Sequence, residues 1–217
     1  MNIEQARYNM VEQQIRPWDV LDQDVLDLLF KVRREDFVPE AHRTLAFVDM
    51  EIPLGHGQTM WTPKLEARAI QELDIRATDR VLEIGTGSGY LTALLASRAA
   101  GVVSIDIFPE FTAAATQKLR AHGFDNVVLH TADAALDWPD DAGFDVIVLT
   151  GSTPLLSDAL LHRLKVGGRL FAITGEAPVM QAQLITCTAP GATRSTTLFE
   201  TCVAPLINAP HPAVFVF

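Results

Sequence analysis

A glycine-rich segment that follows an apolar run is the strongest chemical signal in this sequence. Residues 81–90 read VLEIGTGSGY, so a run of strand type leads directly into glycines at alternate positions and then into a helical pattern. Glycine allows backbone angles that other residues avoid, and it lets a ligand approach the main chain closely. Because open α/β sheets bind ligands at the carboxyl ends of their strands, residues 85–89 are predicted to contact a ligand.

The spacing of these glycines narrows the class of ligand. A dinucleotide fingerprint would place a glycine where Tyr90 stands, and a P-loop would need a Gly-Lys-Ser/Thr sequence that the chain lacks. The arrangement present, Glu-x-Gly-x-Gly-x-Gly, is similar to that of S-adenosylmethionine-dependent methyltransferases. S-adenosylmethionine has no phosphates, so the segment needs only to enclose a nucleoside and an amino acid. The predicted contacts are Glu83, Gly85, Thr86, Gly87, Ser88 and Gly89.

Two acidic residues follow predicted strands at positions that suit a nucleoside. Asp106 ends the second strand, where a carboxylate can accept hydrogen bonds from both ribose hydroxyls. Asp133 lies just past the third strand, within reach of an adenine amino group, and the neighbours Ile107 and Ala134 complete the predicted site. Alternatively, Asp106 caps the following helix and Asp133 occupies a turn. The glycine segment and the two acids occur along the chain in the order that a nucleoside site requires, and this order favours the ligand interpretation.

The elements that must position these residues alternate along the middle of the chain. Runs of strand type occupy residues 80–84, 102–107, 126–130, 144–149 and 169–174. Helical patterns lie between them at 90–99, 109–122 and 154–164. This alternation predicts an α/β fold with a doubly wound, mostly parallel sheet. The similarity of the glycine segment to that of methyltransferases implies the Rossmann-like methyltransferase type of this fold.

The two ends of the chain differ from this middle part. Helical spacing at 3–15, 20–34 and 63–74 predicts an N-terminal helical extension and a first core helix, and 36–62 reads as a loop with short strands. After residue 175 the runs QLITCT, STTLFETCV and AVFVF predict strands that add an antiparallel C-terminal edge. We therefore expect one domain over 1–217, with an extension at 1–62, a cofactor core at 63–175 and C-terminal strands at 176–217.

The composition excludes several classes of function. The 217 residues include 48% apolar and 20% charged residues, a globular composition, and the net charge of −10 argues against a general nucleic-acid binder. The sequence shows neither a signal-peptide pattern nor an apolar run long enough for a membrane, and Cys187 and Cys202 suit a reducing compartment. We expect a cytoplasmic protein without a metal site, since the histidines are scattered.

Several motifs together resemble the protein-L-isoaspartate O-methyltransferase family over about residues 10–206. The segment GHGQT, within IPLGHGQT, and the N-terminal segment VRREDFVPE distinguish this family from other methyltransferases. The matching segments are VRREDFVPE (32–40), IPLGHGQT (52–59), VLEIGTGSGY (81–90), FDVIVLTGSTP (144–154), LKVGGRLFAITG (164–175) and VAPL (203–206).

The resemblance implies methyl transfer from S-adenosylmethionine to the free carboxylate of an isoaspartyl residue in a damaged protein or peptide. It adds Gln58 to the cofactor contacts and Pro205 and Leu206 to the substrate contacts. A carboxylate is already ionised and a sulfonium is an activated donor, so catalysis needs alignment rather than a strong base. Arg33 and Glu35 are interpreted as an N-terminal structural clasp, and His56 as loop filling.

The chain departs from the family pattern at one position of the predicted acceptor loop. The family has a serine two residues after Gln-Thr, whereas this chain has Trp61, leaving Thr59 and Thr62 as hydroxyls that would contact the acceptor. Trp61 either packs the N-terminal helices over the cofactor or forms a wall of a changed pocket. The second interpretation predicts low activity on isoaspartyl peptides, raised by Trp61→Ser. This interpretation is compatible with a small-molecule acceptor, or with a protein that binds the cofactor without turnover. The sequence does not determine the oligomeric state.

Overall fold

The computed structural model describes residues 2–134 and 143–212, and its elements follow the predicted alternation. The helices are α1 (Ile3–Asn9), α2 (Gln23–Lys31), α3 (Pro63–Leu73), α4 (Tyr90–Ala96), α5 (Pro109–Ala121) and α6 (Asp158–His162). The strands are β1 (Ile52–Gly55), β2 (Gln58–Met60), β3 (Arg80–Ile84), β4 (Gly101–Asp106), β5 (Val127–Thr131), β6 (Phe144–Thr153), β7 (Leu164–Glu176), β8 (Val179–Ala189) and β9 (Ala192–Thr201). The predicted AVFVF strand at 213–217 lies outside the described residues.

Within the described ranges the strands form a small hairpin and one large sheet. The hairpin pairs β1 with β2, and the seven strands of the sheet lie in the order β5-β4-β3-β6-β7-β8-β9. Strand β3 is parallel to β4 on one side and to β6 on the other, while β8 and β9 run antiparallel to their neighbours. The predicted doubly wound sheet with an antiparallel C-terminal edge is confirmed.

The central strands bury both of their faces. Val81 and Val146 belong to one apolar core, whereas Leu82 and Ile147, the next residues along the same strands, belong to a second core. Successive side chains of a strand point to opposite faces, so a strand covered on both sides must be apolar throughout. The short continuous apolar runs of the sequence therefore mark the middle of the sheet, whose strand ends carry the polar residues.

One predicted helix is much shorter than its pattern. The segment 154–164 was expected to be helical, but α6 is only five residues long. Its start is fixed by Ser157, whose Oγ accepts a hydrogen bond from the Leu160 N–H at 3.2 Å. Strand β7 then begins at Leu164, five residues earlier in the chain than the predicted strand at 169–174, which ends the helix. None of the helices in the described ranges is long and apolar enough to cross a membrane.

A buried arginine joins the N-terminal extension to the rest of the fold. Arg34 is 1% exposed, and its guanidinium donates to the Glu66 carboxylate of α3 at 3.0 Å. It also donates to the carbonyl of Ala46 at 3.1 Å and to the carbonyl of Trp61. Because a buried charge is tolerated only when it is paired and hydrogen-bonded, this one side chain fixes three remote segments relative to each other.

The clasp predicted from the sequence exists, but one of its two residues was assigned wrongly. Glu35 is buried and forms an ion pair with Arg7 of α1, as a structural clasp requires. Arg33 instead has an exposed side chain that pairs with Asp36 at 3.0 Å. The buried arginine of this segment is Arg34, one position further along, because the 3₁₀ turn that begins there directs its side chain inward.

Candidate functional site

A cleft opens at the carboxyl ends of β3, β4 and β6, where the order of the strands reverses. It encloses about 1060 Å³, its open mouth included, and the ends of all three strands line it. Apolar side chains form much of its wall: Ile84, Phe108, Phe111, Leu149 and Leu156. This is the position at which open α/β sheets bind ligands, and the apolar lining is typical of a small-molecule site.

The predicted glycine segment forms the floor of the cleft. Gly85 and Gly87 line it, with φ of 99° and 50°, the left-handed region that favours glycine. A Cβ on Gly85 would lie 2.0 Å from Oγ1 of Thr150, whose hydroxyl donates to the Gly85 carbonyl at 2.7 Å. Thr86 and Ser88 line a smaller adjoining cavity instead. Gly89 borders neither cavity; it is the N-cap residue that precedes α4.

Asp106 lies where the sequence placed it, at the end of β4 and facing the cleft. Its carboxylate accepts the Gly87 N–H at 2.8 Å and the Phe108 N–H at 3.0 Å. Burial raises the pKa of this carboxyl above its ordinary value, and the two N–H groups oppose the rise. The helix-capping interpretation is wrong, because the N-cap of α5 is Phe108 and this helix has no side-chain capping bond. The bonds to the backbone instead hold the Asp106 carboxylate in the cleft wall.

The third-strand acid and a C-terminal segment form the opposite side of the mouth. Asp133 and Ala134 line the cleft, as does Ile107 beside Asp106. Oδ2 of Asp133 accepts a hydrogen bond from the side-chain amide of Asn208 at 2.6 Å. Asn208 was missed in the sequence because it follows the last family motif and belongs to no predicted element.

Only one of the two predicted substrate contacts faces the cleft. Leu206 lines it, whereas Pro205 borders neither the cleft nor the smaller adjoining cavity and forms a parallel bridge with Ser152. The backbone on both sides of Pro205 is paired with Ser152, since the Leu206 N–H donates to the Ser152 carbonyl at 2.9 Å. Pro205 thus fixes the segment that carries Leu206.

Glu83 lies beneath the glycine segment, which corrects its assignment as a cofactor contact. It is fully buried, and its Oε2 accepts hydrogen bonds from Oγ1 of Thr92 at 2.5 Å and from Oγ of Ser104 at 2.6 Å. Burial raises the pKa of Glu83 to about 8, so the folded protein holds it as a neutral acid at pH 7. A residue in that position supports the segment from below and does not touch a ligand in the cleft.

The hairpin β1–β2 carries the predicted acceptor loop across the cleft. Gln58 and Thr59 line the cleft, and Oγ1 of Thr59 lies 3.2 Å from the Glu51 carboxylate. Thr62 borders neither the cleft nor the smaller adjoining cavity, which argues against its assignment as an acceptor contact. It occupies the N-cap position of α3, where its carbonyl accepts the Leu65 N–H at 3.1 Å, but its hydroxyl makes no capping bond.

Trp61 belongs mainly to the apolar core. It is 5% exposed, and its ring packs edge-on against Phe171 of β7 with ring centroids 6.2 Å apart. Trp61 also borders the cleft. This burial supports the packing interpretation, and it argues against the expectation that Trp61→Ser would raise isoaspartyl methylation, because a serine would leave a cavity in the core.

His56 makes specific contacts, so the interpretation as loop filling is wrong. Its ring stacks on Phe108 with centroids 4.2 Å apart and planes inclined by 17°, and it meets the edge of Phe111 at 5.6 Å. Both phenylalanines line the cleft.

In the described ranges no group of three or more His, Cys, Asp or Glu side chains is arranged to hold a metal ion.

A comparison with known protein families identifies the family of this chain. The family model described as Protein-L-isoaspartate(D-aspartate) O-methyltransferase (PCMT) matches residues 5–209. The chain belongs to this family. The resemblance carried by the motifs is thereby confirmed over nearly the whole sequence.

Individual members of the PCMT family are similar to this chain over most of their length. A protein-L-isoaspartate O-methyltransferase 1 from Syntrophobacter fumaroxidans is 38% identical over 185 residues, 85% of this chain and 86% of the relative. A protein-L-isoaspartate O-methyltransferase from Gloeobacter violaceus is 36% identical over 197 residues, 91% of this chain and 96% of the relative. Among solved structures, a Plasmodium falciparum member in complex with S-adenosyl-L-homocysteine superposes with a TM-score of 0.78, covering 91% of this chain and 96% of that one. At 20% identity that similarity shows the shared fold alone.

Proposed function

We propose that this PCMT family member transfers a methyl group from S-adenosylmethionine to the free carboxylate of isoaspartyl residues in damaged proteins. One observation carries the proposal: the glycine segment, Asp106 and the hairpin residues Gln58 and Thr59 line the same cleft. A donor site and an acceptor loop are thereby brought together. The names of the similar relatives support the same reaction.

The residues of the cleft fit S-adenosylmethionine. The left-handed glycines Gly85 and Gly87 allow a ligand to approach the main chain, and the carboxylates of Asp106 and Asp133 can accept hydrogen bonds from hydroxyl and amino groups. The rings of Phe108 and Phe111 offer an apolar surface for a flat base. A neutral nucleoside joined to an amino acid requires these features and needs no cluster of basic side chains.

Each of these residues has a defined task in the proposed complex. Asp106 would accept the ribose hydroxyls, Asp133 would accept the adenine amino group, and the backbone at Gly85 and Gly87 would enclose the amino-acid part. When bound, the cofactor supplies an electrophilic methyl group on a sulfonium. Thr59 would orient the acceptor, and Leu206 would contact the peptide beside it.

Positioning is the main contribution of the chain to the rate. The acceptor carboxylate is ionised at neutral pH, so none of the side chains has to remove a proton. Holding the reacting atoms about 3–3.5 Å apart in line can supply about 7–11 kcal/mol of the barrier. The hairpin and the buried strand ends are suited to this task because both are held by the core.

A labelled-methyl assay tests the proposal with a matched pair of peptides. The purified chain is incubated with methyl-labelled S-adenosylmethionine and either an isoaspartyl peptide or its normal aspartyl twin. We expect label on the isoaspartyl peptide only. In Asp106→Ala we expect the affinity for S-adenosyl-L-homocysteine to fall by about 1–3 kcal/mol, the scale of a hydrogen bond to a charged group. Binding without methylation of either peptide would point to a different acceptor, such as a small molecule.

We further propose that the chain acts as one domain in the cytoplasm. Both cysteines are free thiols, Cys187 buried and Cys202 exposed, which supports a reducing compartment. The buried Arg34 contacts join the N-terminal extension to the core, which supports a single folding unit.

A further inference from the structure

The tip of the acceptor hairpin has a backbone conformation that histidine does not favour most. His56 and Gly57 form the two-residue turn between β1 and β2, with φ of 52° and 71°. Positive φ at both central residues is the requirement of a type I′ turn, for which Asn-Gly is the preferred pair. The geometry of the turn therefore does not explain a histidine at the first position, whereas the contacts of its side chain do.

The ring of His56 is placed on the wall of the cleft. It stacks on Phe108 at 4.2 Å and contacts the edge of Phe111, both in the first turn of α5 or next to it. Nε2 of His56 also lies 3.8 Å from the Glu110 carboxylate, but both groups are exposed, so this ion pair adds little. The aromatic stack is therefore the main attachment of the turn to α5.

This stack completes a connection from the predicted ribose site to the acceptor residues. The carboxylate of Asp106 accepts the Phe108 N–H, and the Phe108 ring carries His56. From the turn, β2 leads to Gln58 and Thr59, which line the cleft. The other end of the hairpin is held in the core at Trp61, so the hairpin crosses the cleft with an attachment at each end.

We propose that His56 is a positioning residue: its ring fastens the hairpin tip to Phe108 and Phe111 and so holds the acceptor loop closed over the bound cofactor. The inference rests on the proposed function, since it assigns the closure of that same site. Release of the demethylated cofactor then requires the stack to separate. Because the hairpin tip is attached through a ring contact and not through a buried bond, this end of the hairpin can open while the Trp61 end stays fixed.

The test compares two substitutions that separate the turn from the ring. His56→Asn keeps a residue suited to the I′ turn but removes the aromatic ring, whereas His56→Phe keeps a ring. His42→Ala, in the 3₁₀ segment Glu40–Leu45, serves as the control histidine. For each full-length variant, stopped-flow experiments measure the dissociation rate of S-adenosyl-L-homocysteine, and thermal unfolding without ligand measures the fold.

We expect His56→Asn to raise the dissociation rate about 3- to 10-fold, the scale of one aromatic pair. The melting temperature without ligand should fall by no more than a few degrees, because one exposed ring contact is a small part of the stability of the fold. His56→Phe should recover at least half of this effect on a logarithmic scale, and His42→Ala should match the wild type. A double-mutant cycle with Phe108→Leu should show coupling, because the second substitution removes a contact that is already lost.

An unchanged dissociation rate in His56→Asn, or additive effects in the cycle, would overturn the proposal. Both outcomes leave the proposed function intact, since they require a wild type that binds the ligand. A wild-type chain that does not bind S-adenosyl-L-homocysteine would overturn the proposed function and the role of His56 together.

Discussion

The two segments that face each other across the cleft are held in different ways. The glycine segment is fixed by its neighbours in the sheet, because Gly85 and Gly87 bond to groups at the ends of adjacent strands. The acceptor hairpin is fixed by residues from remote parts of the chain, such as Arg34 and Phe171. The donor side of the site is therefore encoded locally, and the acceptor side depends on tertiary packing.

Removing the ring at the base of the hairpin should break the acceptor side most severely. Trp61→Ser should lower the free energy of unfolding by about 3–5 kcal/mol, the cost of deleting a large buried side chain. Denaturant unfolding measures this loss. Trp18→Ser is the matched control, since Trp18 is only partly buried and should cost less. A stable Trp61→Ser variant with increased isoaspartyl methylation would show instead that the ring blocks the acceptor pocket.

Adding a single methyl group to the glycine segment should disturb the donor side of the cleft nearly as much as Trp61→Ser disturbs the acceptor side. In Gly85→Ala the new Cβ would lie 2.0 Å from Oγ1 of Thr150, so we expect a loss of about 3 kcal/mol in stability or in cofactor affinity. Gly123→Ala is the control, because Gly123 also has a positive φ, 76°, but its Cβ would meet nothing within 4 Å. Equal effects in the two variants, measured by denaturant unfolding and calorimetry, would contradict the role of Thr150.

The acid beneath the glycine segment should make stability depend on pH. The pKa of Glu83 is raised from 4.5 to about 8 in the folded state, so folded molecules hold a proton that unfolded molecules release. This contribution is fully present below about pH 4.5 and is lost as the pH rises through about 8, with a slope of up to about 1.4 kcal/mol per pH unit. Glu83→Gln should have a flatter profile from pH 5 to 8 in urea unfolding. Identical slopes would show that Glu83 is ionised in the fold.

The smallest effect should come from the threonine that the sequence assigned to the acceptor and the structure places elsewhere. Thr62→Ala should change kcat/KM less than about 2-fold and stability by less than about 0.5 kcal/mol, the usual scale away from specific contacts. Thr59→Ala, which removes a hydroxyl that lines the cleft, should raise KM for the isoaspartyl peptide more than Thr62→Ala does. Steady-state kinetics on both variants decide between the two hydroxyls.

Sequence patterns predicted the donor side well because its signals are local. A buried strand, a left-handed glycine and an acid at the next strand end each follow from residues close together in the chain. Thus β3 at Arg80–Ile84 was predicted to the residue, and Asp106 lies in the cleft as expected. The error at Glu83 has the same origin, since the motif gives the position of an acid but not whether its side chain points to the ligand or into the fold.

The acceptor side was predicted less well because its determinants are pairs of distant residues. Nothing near Trp61 in the sequence reveals that Phe171 packs on its ring, or that Arg34 bonds to its carbonyl. In the same way, the stack of His56 on Phe108 depends on where α5 begins relative to the hairpin. These contacts exist only after the sheet has assembled, so no periodicity along the chain can indicate them.

The buried guanidinium of Arg34 also constrains how the chain matures during synthesis. Arg34 leaves the ribosome before its partners at Trp61 and Glu66 are made. Until they emerge, burial of this charge would leave it without compensation, so the extension has to remain open and hydrated. We therefore expect the segment around Arg34 to pack only when the segment that carries the acceptor loop is available to receive it.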